Sequence, residues 1–97
     1  TPYWSKLRKL KKNHARYSSA ASQLSSNDKV RHCFAGYMIA RDLDYRTALF
    51  AAYYKEAQDV SDCNKKTHFE IADKIVTIKG ASLSVSGHSI DLCRELN

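Results

Sequence analysis

Few residues that break helices interrupt this chain of 97: its one proline is Pro2, and its glycines are Gly36, Gly80 and Gly87. Alternating β-branched runs are nearly absent too. The sequence therefore argues against a strand-rich fold and predicts mainly α-helix. It also lacks the run of about eighteen apolar residues that a membrane-spanning helix needs. The longest candidate, ALFAAYY at 48–54, is far too short. Paired CxxC spacing is missing as well, since Cys33, Cys63 and Cys93 stand thirty residues apart. That excludes the usual zinc-thiolate patterns. In an oxidising compartment one disulfide could form and leave one thiol; in the cytosol all three would stay reduced. Cys63, in the loop-like SDCNKK, is the expected bridge partner, because a loop can adjust to disulfide geometry.

What is present suits one folded domain. Hydrophobic residues at 43% and charged residues at 27% are ordinary globular values, which argue for a folded domain. A chain of this length supports a single core. The expected architecture is all-α, a small single-domain bundle of four to five helices. Residues 1–25 form a basic N-terminal helix with a Ser-rich connector, and residues 26–97 the helical core. The chain does not open on a signal peptide, and a start at Thr1 is compatible with a mature chain whose leader has been removed, so export stays open.

Periodicity places the helices. In YWSKLRKLKKNHARYSSAAS, Trp4, Leu7, Leu10, His14 and Tyr17 fall on or near one stripe. The serine-rich run that follows reads as a connector or a fraying end. A second helix should start near Asp28, capped by Ser26 or Asn27, and run to about Arg41 on a stripe of Val30, Cys33, Phe34, Tyr37 and Met38. Asp44 can cap a third helix, about 45–59, with Tyr45, Ala48, Leu49, Ala52 and Tyr53 inward. Thr67 and Glu70 form a capping-box pattern for a fourth, which Gly80 should close. ASLSVSG would then be a short strand or loop, and HSIDLCREL a last helical turn or two.

Charge appears where these helices should turn inward. Glu56 and Asp59 prolong the apolar stripe of the third helix, in a last turn whose dipole disfavours negative charge. Asp73 shares a face with Phe69, Ala72, Val76 and Gly80. Asp28, His32, Gly36 and Ile39 line up beside the stripe of the second helix, and Gly36 would let another helix approach closely next to His32. With these faces inward, His32, Glu56, Asp59 and Asp73 converge, with Lys55 at the rim. Such a cluster is costly compared with apolar packing, which favours a functional role. Buried carboxylates that merely bond a lysine, an arginine or a backbone N–H would produce the same pattern.

The elements DKVRH at 28–32, KEAQD at 55–59, and Asp73 followed by Gly80 resemble the DKxxH, KExxD and D-x6-G elements of YfiM-like envelope lipoproteins. VanZ-like membrane proteins and some bacterial secreted-toxin C-terminal domains carry a similar order. The resemblance spans roughly residues 26–86 and singles out Asp28, Lys29, His32, Lys55, Glu56, Asp59, Asp73 and Gly80. Ala52 stands where a glycine often precedes KE, and the chain is more polar than VanZ-like relatives. The resemblance implies a bacterial envelope-associated or secreted protein, periplasmic or extracellular.

Two functional expectations follow. In the first, the protein binds a lipid, a cell-wall component or a protein partner, with Lys6, Arg8, Lys9, Lys11 and Lys12 on an anionic membrane surface. These residues and Arg16 account for the net charge of +6. In the second, a hydrolase or toxin effector uses His32 as general base or metal ligand while Glu56, Asp59 and Asp73 orient it or hold a divalent cation. Oxygen-rich ligands with one imidazole suit magnesium, calcium or manganese better than a closed zinc site. The sequence contains no GxSxG nucleophile motif. Cys33 points about 100° from His32 around the helix, toward the core. With the charge confined to one tract and no recognition-helix or RNP signature, nucleic acid ranks last.

Overall fold

The computed structural model describes the backbone of residues 3–61 and 71–96 and the side chains of 4–53 and 72–95. Within that frame the chain is all-α: α1 (Tyr3–Leu24), α2 (Asp28–Asp42), α3 (Tyr45–Ser61), α4 (Ile71–Val85) and a closing 3-10 helix, η1 (Ile90–Leu96).

Local chemistry fixes several boundaries. Asn27 has extended backbone, and its side chain accepts the Val30 amide, so α2 starts at Asp28 as its N-cap pattern predicts. Asp44 Oδ1 accepts the Thr47 amide at 2.7 Å and opens α3 in the same way. The serine-rich segment does not loosen into a connector, since α1 stays helical to Leu24 and Ser22 bonds back to the Ser18 carbonyl. The Thr67–Glu70 capping box lies outside the described residues.

The fourth helix ends later than the sequence predicts. Gly80 lies inside α4, and residues 81–85, expected as strand or loop, continue the helix. Gly87 ends it, with φ at +77°. The His88 amide bonds the Leu83 carbonyl and the Gly87 amide that of Ser84, the crossed pair of bonds that a left-handed glycine makes possible at a helix C-terminus.

Gly36 and Gly80 serve instead where α2 crosses α4. A Cβ on Gly36 would overlap the carbonyl oxygen of Thr77, and one on Gly80 would overlap that of Cys33. Only hydrogen at these positions lets the two backbones touch. Around this crossing the core collects Leu10, Tyr17 and Ala21 from α1, Val30, Cys33, Phe34, Met38 and Ile39 from α2, and Ala48 and Ala81 from α3 and α4. Phe34 is fully buried, a gain of about 1.5–3 kcal/mol over leaving it in water.

Cys33 is bonded to Cys93, which ties η1 to the middle of α2. The expectation that Cys63 would form the bridge is thereby corrected; that residue lies outside the described part of the chain. Arg94 reinforces the junction, with its guanidinium 5.2 Å from the Phe34 ring centre and a hydrogen bond to the Leu24 carbonyl. The stripe of α1 also needs correction. Leu10 and Tyr17 are buried as expected, but His14 is exposed and Trp4 is 72% exposed. On α3 the core side is carried by Ala48 and Ala52, while Tyr53 faces outward under the Lys74 ammonium.

Candidate functional site

Because the two glycines bring α2 and α4 into backbone contact, side chains preceding them on each helix meet on one side of the crossing. Asp28, Lys29 and His32 come from the start of α2, and Asp73 from the start of α4. Lys29 Nζ lies 2.6 Å from Asp73 Oδ1, a charge-assisted hydrogen bond. His32 Nε2 lies 3.6 Å from Asp73 Oδ2 and 3.6 Å from Asp28 Oδ1. Both distances fall in ion-pair range and outside hydrogen-bond range. The imidazole thus stands between two carboxylates without bonding to either.

Each carboxylate has a further support. Asp28 receives the Arg31 guanidinium at 3.3 Å, and both acids sit in the first turn of their helices, where the dipole favours negative charge. The Thr77 hydroxyl donates to the Asp73 carbonyl one turn away, anchoring the backbone that carries the carboxylate. His32 and Asp73 are half-buried and Asp28 is exposed, so the cluster opens to solvent.

Of the residues expected at this site, the structure brings together Asp28, Lys29, His32 and Asp73. Gly80 takes part as the contact point that sets the helix approach. The side chains of Lys55, Glu56 and Asp59 lie outside the described residues. Asp28, expected only in support, faces His32 directly; its i, i+4 spacing from His32 was the available signal. Arg31 was missed, although its i, i+3 spacing from Asp28 is equally plain.

The second candidate surface is α1. Arg8, Lys9, Lys11, Lys12 and Arg16 are exposed together with Trp4, and no acid occurs in the helix. Lys6, assigned to this surface from the sequence, is diverted: its ammonium pairs with Asp44 at 2.8 Å and pins the start of α1 to the α2–α3 junction. Burial works against ionisation of Asp44, but the Lys6 ammonium and the Thr47 amide outweigh it and hold its carboxyl at about 2. Tyr17 donates to Asp42 at 3.2 Å, and burial, followed by the neighbouring carboxylate, pushes the phenol's pKa up. Arg41 in turn holds Asp42 below the ordinary carboxylate value. These contacts fix the inner face of α1 and leave its basic face outward.

Among the described residues no helix is long and apolar enough to cross a membrane. Comparison with protein-family models, with curated proteins and with solved structures gives no match.

Proposed function

We propose that this chain is a bacterial envelope-associated or secreted helical protein that binds anionic lipid surfaces through α1. The observation that carries the reading is the outward face of that helix, where the 72% exposed Trp4 precedes the exposed Arg8, Lys9, Lys11 and Lys12. An indole suits the headgroup level of a bilayer, and basic side chains suit its negative potential. The Cys33–Cys93 disulfide supports an oxidising compartment, hence a periplasmic or extracellular setting. Resemblance of the DKVRH, KEAQD and Asp73/Gly80 elements to envelope lipoproteins points the same way.

Each basic residue near an anionic surface contributes about 1 kcal/mol. Replacing Arg8, Lys11 and Lys12 by glutamine should therefore weaken binding to vesicles containing phosphatidylglycerol by about a hundredfold. Co-sedimentation should also weaken as salt rises and vanish on vesicles of phosphatidylcholine alone. Equal binding to neutral vesicles would overturn the reading, as would binding confined to DNA with a steep salt dependence.

The alternative, a hydrolase or toxin effector, draws its support from the convergence of His32 and Asp73. A base standing between carboxylates is a common hydrolytic arrangement.

A further inference from the structure

The three groups at the start of α2 and α4 have a geometry that pairing within the protein does not exhaust. One donor atom from each of Asp28, His32 and Asp73 lies within 4.8 Å of the other two. Both imidazole-to-carboxylate distances are 3.6 Å. A metal ion with bonds of about 2.0–2.2 Å sets its ligand atoms roughly 3.0–3.5 Å apart. The two measured edges are thus nearly at the spacing that a shared cation imposes, and too long for the hydrogen bonds that would otherwise explain them.

We propose that Asp28, His32 and Asp73 bind a divalent first-row metal ion, of the class of Mn²⁺ or Zn²⁺, at an open three-ligand site. This inference is independent of lipid binding by α1. With one imidazole and two carboxylates, the donor set is less oxygen-rich than the four-residue cluster expected from the sequence, which moves the preference from Mg²⁺ and Ca²⁺ toward ions that accept nitrogen. Openness follows from position, because Asp28 is exposed and His32 and Asp73 are only half-buried.

Neighbouring cations shape the site. Lys29 occupies Asp73 Oδ1, leaving Oδ2 toward His32. It thereby orients the ligand carboxylate as an outer-sphere partner does. Arg31 shares Asp28 Oδ1 with His32 and must yield that oxygen when an ion enters. The N-termini of both helices add positive partial charge here, which works against cation binding and must be offset by the two carboxylates.

The test uses the whole chain, stripped with chelator, and Mn²⁺ as paramagnetic probe. At sub-stoichiometric Mn²⁺ the ring resonances of His32 should broaden, while those of the exposed His14 and His88 should not. Zn²⁺ titration by calorimetry should show one site whose affinity falls at least about tenfold in His32→Gln and in Asp73→Asn. It should remain unchanged in His14→Gln. The proposal is overturned if Mn²⁺ broadens all histidines alike or none, or if both variants bind Zn²⁺ as the parent does. The broadening experiment needs no variant, so misfolding of either substitution leaves the decision intact.

Discussion

Gly80 of α4 rests directly on the carbonyl of Cys33 in α2: a Cβ at position 80 would overlap the oxygen and stand only 2.8 Å from the carbonyl carbon. Backbone cannot swing aside as a side-chain tip can, so the helices would have to separate. In an uncrowded helix, glycine to alanine gains roughly 1 kcal/mol. Here Gly80→Ala should instead cost about 3 kcal/mol, at the upper end of overpacking penalties. Gly87→Ala should cost only about 1–2 kcal/mol, because its surroundings are open and only the left-handed backbone resists a side chain. Denaturant melts of the two variants would check the order. Equal small losses would mean the crossing is looser than described.

The Cys33–Cys93 bond closes a loop with a sequence separation of 60. On the chain-entropy account, such a loop stabilises by roughly 4 kcal/mol. Cys93→Ser should lower unfolding stability by about 2–4 kcal/mol, and reductant should shift the parent toward the variant while leaving the variant itself in place. A parent insensitive to reductant would contradict the bond's role in holding η1.

Asp44 titrates lower in the fold than its ordinary 3.8, at about 2. A depressed carboxyl favours the folded state above its unfolded value and loses that contribution as pH falls toward the folded one. Acid melts should show this loss between 3.8 and about 2, and Lys6→Met should flatten it. Because both groups are partly exposed, the variant should cost no more than about 1 kcal/mol at neutral pH. A slope unchanged by Lys6→Met would place the depression on the Thr47 amide alone.

Much of this molecule was legible in its sequence where the physics is local. Asn27 and Asp44 announced the starts of α2 and α3 because a capping side chain acts within three residues. Gly36 was read as a point of close approach because it lies beside the apolar stripe of its own helix. Gly80 has the sequence signature of a stop, since nothing local separates a terminating glycine from one pressed against another backbone; the left-handed Gly87 takes that role. Pairing of His32 with Asp73 could be foreseen from faces. That Lys29 would take one oxygen of Asp73 depends on helix separation, which those glycines set. Periodicity puts Trp4 on the core stripe, but α1 contributes its first buried core residue only at Leu10, so the aromatic at the helix end is left outside.

Trp4 is the chain's one tryptophan, which makes its fluorescence a direct report on the face proposed to meet the membrane. On adding phosphatidylglycerol vesicles at low salt, its emission should shift to the blue as the indole leaves water. It should return on raising salt above physiological strength, where exposed charges are screened within about 8 Å. An emission maximum unmoved at lipid concentrations that sediment the protein would place Trp4 in water in the bound state and contradict docking through α1.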